Sequence, residues 1–167
     1  MHANAAGDPD LAASATDWQL WVLQRQARLD KAEEIAAKVV DQIEPSMRNA
    51  TPDQLASWGR LLLRASGSAA RNNRPEAARD YLEAASAAAR VLGRETNNLA
   101  GRYGFGPGTV ASWGPENAMV AGRPDEALRL LDAAGGLTPS TSTGGWRMRV
   151  VRQRRLGRWG GEAMHSA

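Results

Sequence analysis

Apolar residues recur at intervals of three and four along most of the chain, which predicts amphipathic helices joined by short polar turns. Asp8-Pro9 supplies an acidic cap and a first-turn proline, and Leu11, Ala15, Trp18 and Val22 then fall on one face of a first helix. Leu29, Ala32, Ala36, Val39 and Ile43 mark a second helix, ended by Glu44-Pro45 because the residue before proline avoids helical dihedrals. Thr51-Pro52-Asp53-Gln54 is a capping box. It opens a long helix whose inner face is Leu55, Trp58, Leu62, Ala65 and Ala69. Asn72-Asn73-Arg74-Pro75 breaks the chain and starts a partner helix with two adjacent stripes. These are Ala77, Tyr81, Ala84, Ala88, Val91 and Ala78, Leu82, Ala85, Ala89, Leu92, a face wide enough to touch neighbours on two sides. Gly93 suits a left-handed cap. Residues 94–108 read as a polar, glycine-rich connection without strand character. Helix resumes at about Thr109, runs to Ala121, breaks at Gly122 and returns from Pro124 to near Ala134.

A short phrase recurs within this pattern: Arg28-Leu29-Asp30-Lys31-Ala32, Arg74-Pro75-Glu76-Ala77-Ala78 and Arg123-Pro124-Asp125-Glu126-Ala127. A repeated turn-then-helix unit predicts stacked helical hairpins, which usually bind something rather than catalyse. The anchor alanines Ala32, Ala78 and Ala127 stand 46 and 49 residues apart, against about 34 for a standard tetratricopeptide unit. The expected fold is therefore all-α: an irregular tetratricopeptide-like helical-hairpin array, an α-solenoid of about three hairpins, over residues 1–136. Residues 137–167 read as a Gly/Ser/Thr linker and a poorly ordered, Arg-rich tail.

Composition narrows the chemistry. The absence of cysteine excludes disulfides, thiolate metal sites and cysteine nucleophiles. The two histidines, His2 and His165, sit at opposite ends, which argues against a metal site or a His-based triad. No secretory signal or membrane-length apolar run is present, so a cytoplasmic protein without membrane association is expected. Charge is uneven. Residues 1–139 hold 15 Arg/Lys against 17 Asp/Glu, whereas residues 140–167 hold six Arg and one Glu. The basic balance thus belongs to the tail, and the body gives no electrostatic reason to bind nucleic acid. Carboxylates such as Glu33, Glu34, Asp53, Glu76 and Asp125 read as solvent-face or capping groups, no nucleophile–base pair emerges, and neither an enzyme nor a cofactor is expected.

The candidate ligand-binding residues are Trp18, Arg64, Asn72, Asn73, Trp113 and Asn117. Trp18, Arg64 and Trp113 each precede an anchor alanine by 14 residues, which places them at one repeat position on the first helices of the hairpins. Those helices line the concave surface in tetratricopeptide superhelices. The asparagines offer donor and acceptor to a peptide backbone, and Arg64 could clamp a carboxylate. Each also has a structural reading: the tryptophans, Trp58 above all, as core, and Asn72-Asn73 as a helix terminator. Gly104-Phe105-Gly106-Pro107-Gly108 reads as an inter-hairpin turn, with Phe105 packing it on the array, rather than as a phosphate loop, because no lysine accompanies it. In the tail, Arg147, Arg149, Arg152, Arg154, Arg155 and Arg158 alternate with Trp146, Met148, Val150, Val151 and Trp159, a pattern that can hold phosphates and stack on bases.

Two segments carry a resemblance: Trp58-Gly59-Arg60-Leu61-Leu62-Leu63-Arg64-Ala65 with Asn72-Asn73-Arg74-Pro75-Glu76-Ala77, and Phe105-Gly106-Pro107-Gly108-Thr109-Val110-Ala111. Over roughly residues 5–134 the chain resembles the tetratricopeptide-like C-terminal region of high-GC bacterial transcriptional regulators, in which a Cro/repressor-type helix-turn-helix domain precedes the array. The Phe-Gly-Pro segment is the more specific of the two. The chain departs from that pattern in lacking the DNA-binding domain, as a truncated member would, and in a tail that does not continue the final hairpins. The tail's Arg, Gly and Trp bias is what a shifted reading frame in GC-rich DNA yields. The resemblance implies a non-catalytic sensor module that holds a peptide or protein segment in a concave groove, with direct DNA binding not expected in the absence of the helix-turn-helix domain. Two other readings stand beside it: nucleic-acid binding through the tail, and a standalone scaffold that self-associates, for instance as a homodimer, because its end hairpins lack a polar cap. An incomplete last hairpin would leave Leu128, Leu130 and Leu131 partly uncovered.

Overall fold

The structure is a computed structural model that describes the backbone of residues 9–97 and 104–133, with side chains over 12–96 and 104–133. Among the described residues there are six α-helices: α1 (Pro9–Arg25), α2 (Leu29–Gln42), α3 (Pro52–Arg71), α4 (Pro75–Leu92), α5 (Pro107–Val120) and α6 (Pro124–Ala133). They are all-α in class, and consecutive helices pack as three hairpins: α1 with α2, α3 with α4, α5 with α6. The first helices also pack side by side, α1 on α3 and α3 on α5, while α2 reaches α3 and α4 reaches α5.

The recurring phrase has one structural meaning. At each hairpin turn an amide donates back across the helix end: Arg28 N to Leu23 O at 2.9 Å, Arg74 N to Ala69 O at 2.9 Å and Arg123 N to Ala118 O at 2.8 Å. The preceding residue is left-handed in all three, with φ of 57° at Ala27, 57° at Asn73 and 71° at Gly122. This is the Schellman arrangement, which satisfies helix-end carbonyls. The new helix then closes its first bond onto the Arg carbonyl from Ala32, Ala78 or Ala127. Those alanines are buried in all three turns.

Helix α3 is the hub. It is capped by the expected box, with Gln54 N donating to Thr51 Oγ1 and Thr51 N to Gln54 Oε1. It is buried nearly all round from Leu55 to Ala70, not along one stripe, because it meets α1, α2, α4 and α5. Leu20, Leu61 and Leu62 are fully buried around it, each contributing roughly 1.5–3 kcal/mol by removal from water. Trp58 is buried as expected and donates Nε1–H to Val40 O at 3.1 Å.

Three expectations are corrected. The buried face of α1 is Ala13, Asp17, Leu20 and Leu23, whereas Trp18 and Val22 are 44% and 42% exposed. The helix carries two largely apolar faces, and the one containing aspartate is the covered one. The connection before α5 also carries strand pairing between its two described ends. Strands β1 (Thr96–Asn97) and β2 (Gly104–Phe105) pair antiparallel, with Thr96 opposite Phe105. Finally, α5 begins at Pro107, since the Glu95 carboxylate caps it by accepting from Gly108 N, Thr109 N and Thr109 Oγ1. An anion at a helix N-terminus is favourable, and here the chain supplies its own, in line with the inter-hairpin-turn reading of this loop. Residues 98–103 and the whole Arg-rich tail, Arg147 to Arg158, lie outside the described residues.

Candidate binding surface

The layer of first helices carries the candidate site. Asp17 stands in the apolar stripe of α1, 5% exposed, and faces α3. Its carboxylate accepts from Arg64 Nε at 2.6 Å and from Arg60 Nη2 at 3.0 Å, two arginines one helical turn apart. Two turns further along α1, Gln24 Nε2 donates to Ser68 Oγ at 2.8 Å. A charge this buried is tolerable only because it is paired and hydrogen-bonded. The ion pair therefore fixes how α1 sits on α3, and Arg64 is committed to holding that register.

Beside the Asp17 cluster, the outer face of α1 presents Trp18, Trp21, Val22 and Arg25, spaced three and four apart. Trp18 and Trp21 meet edge to face with centroids 5.9 Å apart and planes at 78°. The Arg25 guanidinium lies 5.5 Å from the Trp21 ring centre, a cation–π contact. Trp21 is 40% exposed, so this is an exposed aromatic ledge next to a basic group. Trp18 is thus on the surface rather than in the core, against the ordinary role weighed for it.

The remaining candidates are dispersed. Trp113 is half-buried against α3, where Gly67 makes room: a Cβ on Gly67 would lie 2.7 Å from Trp113 Cζ3. Arg71 bridges the same junction, donating to Gly67 O and approaching Glu116 at 3.6 Å. Asn117 is buried at the α3–α4–α5 junction, where its Nδ2 donates to Ser66 Oγ at 2.7 Å and Ser66 donates on to Ala78 O at 2.6 Å. Its Oδ1 is buried without a hydrogen-bond partner among the described residues. Asn72 caps α3 and donates to Asp30 and Glu33, and Asn73 supplies the left-handed turn. Glu33 is no solvent-face group: it is 5% exposed and paired with Arg74 at 2.7 Å. Nearby, burial raises the Tyr81 phenol above its usual range, with the Glu33 and Asp41 charges adding to the effect and Arg74 opposing it.

Trp18, Arg64 and Trp113 do share one layer of helices, but their side chains play three different parts: ledge, inter-helix clasp and packing wedge. Sequence reading missed Asp17, Trp21 and Arg25. The signal was present, as an aspartate inside an apolar stripe at Ala13, Asp17, Leu20 and two arginines four apart on the facing helix.

The two segments that carried the family resemblance meet in space. Phe105 is fully buried, with its ring against the backbone of α3 at Gly59, where a Cβ would fall inside the ring. No protein-family model, curated protein or solved structure matches the chain. Among the described residues no cluster of His, Cys, Asp or Glu could hold a metal ion, and no helix is long and apolar enough to cross a membrane.

Proposed function

We propose that the chain is a tetratricopeptide-like, non-catalytic sensor module of a transcriptional regulator, which binds a peptide or partner segment on the face of α1, α3 and α5. The observation that carries this reading is the exposed Trp18–Trp21 pair with Arg25. Large exposed aromatics beside an arginine are what protein-binding surfaces concentrate. The three identical turns support the repeat architecture, and the Gly59–Phe105 contact joins the two segments on which the family resemblance rests.

Peptide display against the chain, with the Trp18→Ala/Trp21→Ala variant as counter-screen, tests the binding half. Sequences enriched on the native chain and lost from the variant are expected. Equal enrichment on both would sink the reading. An in-frame helix-turn-helix sequence upstream of the gene is expected for the regulator half, and stop codons immediately upstream would remove it.

A further inference from the structure

The outer side of α1 carries a pattern of its own. Ala15, Trp18, Val22 and Arg25 lie on the side of the helix away from the buried Ala13, Asp17, Leu20 and Leu23, and the last three of them are exposed. By sequence the same stripe runs on to Leu11 and to Asp8, which lies outside the described residues. The spacings are three, four, three, four and three. They average 3.5 residues, the period of a seam between two paired helices. They also read the same from either end. Two copies of α1 laid antiparallel across a two-fold axis therefore match the stripe to itself, with Ala15 opposite Trp18, Leu11 opposite Val22 and Asp8 opposite Arg25.

Size and charge both select this register. Each Trp18 ring meets an alanine, much as Trp113 meets Gly67 where α5 packs on α3. Trp21, edge to face with Trp18, flanks the seam. Arg25 forms no ion pair among the described residues. The antiparallel register brings it to the acidic start of the other helix, where the sequence has Asp8 and Asp10. A parallel pair would set Trp18 on Trp18 and Arg25 against Arg25, and like charges so placed repel. We infer that α1 pairs antiparallel with α1 of a second copy of this chain, the same patch serving both partners of a two-fold dimer. The inference rests on the Trp18–Trp21 ledge being a binding surface, as proposed above, and it names the partner. The seam is one helix long, about 25 Å. It stands at the small end of specific interfaces, so the dimer should dissociate at roughly micromolar concentration.

The chain has no cysteine, so introduced cysteines report the register directly. The whole chain is followed by sedimentation velocity over a dilution series, and Leu11→Cys and Val22→Cys chains are oxidised mildly, each alone and mixed. A concentration-dependent dimer is expected, with disulfide dimers abundant in the mixture and scarce for either variant alone. In the antiparallel pair the two copies of residue 11 stand eleven residues of helix apart, roughly 16 Å, beyond disulfide reach. Parallel pairing would instead link each variant to itself. Trp18→Ala and Arg25→Glu, both at exposed positions, should weaken the dimer about tenfold or more while the thermal melt is retained. A chain that stays monomeric up to about 1 mM, cross-links of each variant with itself, or an undiminished Trp18→Ala dimer would overturn the proposal. Peptide display reads the ledge separately. A monomer that enriches Trp18-dependent peptides overturns the dimer alone, and a dimer that enriches none overturns the foreign-peptide reading alone.

Discussion

Helices α3 and α5 both carry glycine in their interiors, and the glycines do opposite things. In α3, Gly59 and Gly67 are occupied from outside: the Phe105 ring fills the place of one Cβ, and the Trp113 ring presses on the other. In α5, Gly114 faces two leucine side chains at ordinary distance, and nothing in the described fold needs its missing Cβ for packing. Glycine inside a helix costs roughly 0.5–1 kcal/mol relative to alanine. The α3 glycines offset that cost by admitting two aromatic rings that lock the third hairpin onto the hub. At Gly114 the compensation within the fold is smaller, an eased backbone ahead of Pro115, with Leu82 and Leu130 at ordinary contact distance from the place of its Cβ. A glycine can therefore be read as architecture or as a candidate contact site by asking what stands where its side chain would be.

The largest effect should come from breaking the α3 side. Gly59→Ala forces a methyl into a fully buried ring held by the β1–β2 ribbon and is expected to cost about 3 kcal/mol. Phe105→Ala should cost about 3–5 kcal/mol through the cavity it leaves. The decisive measurement is the double variant under urea denaturation: once Phe105 is truncated, Gly59→Ala should add almost nothing. Additive costs would show that the two residues do not share one space. Gly67→Ala should be milder, about 1–2 kcal/mol, since Trp113 is only half-buried and can tilt toward solvent.

How much of this was legible in the sequence follows from which signals are local. The three turns could be read because a left-handed residue, an arginine and an alanine four further on are needed at fixed offsets. The capping box at Thr51 and the left-handed Gly93 are equally local. The face of α1 could not be read by hydropathy, because Asp17 lies on the buried side and two tryptophans on the exposed one. Only the facing arginines, more than forty residues away, make that aspartate a core residue. Glu33 and Asn72 escaped for the same reason: their partners come from another hairpin. The β1–β2 ribbon, two residues per strand, is too short for any periodicity to show.

The turns give a smaller effect of the same kind, in the backbone rather than in packing. Ala27, Asn73 and Gly122 occupy equivalent left-handed positions. For an L-residue with a Cβ that conformation costs roughly 1–2 kcal/mol. Ala27→Gly should therefore stabilise the chain by about 0.5–1 kcal/mol, after the entropy that glycine loses on folding, and Gly122→Ala should destabilise it by about the same amount. Thermal melts of the two variants should move in opposite directions. A shift of the same sign in both would mean that the three turns are not equivalent.

Gly114→Ala should have the smallest effect, and its smallness is the point. Helix propensity favours alanine by about 1 kcal/mol, while a Cβ before Pro115 meets the proline ring and disfavours the helical backbone. The two terms oppose each other, and the 3.7 Å contacts with Leu82 and Leu130 add neither strain nor a cavity, so the net change should stay within about 0.5 kcal/mol. The contrast with Gly59→Ala, at about 3 kcal/mol, would then separate a glycine the fold requires from one it merely tolerates. A cost above about 2 kcal/mol, the range of overpacked cores, would place Gly114 with the α3 glycines. A neutral result leaves Gly114 as a position whose missing Cβ the packing of α5 against Leu82 and Leu130 does not require.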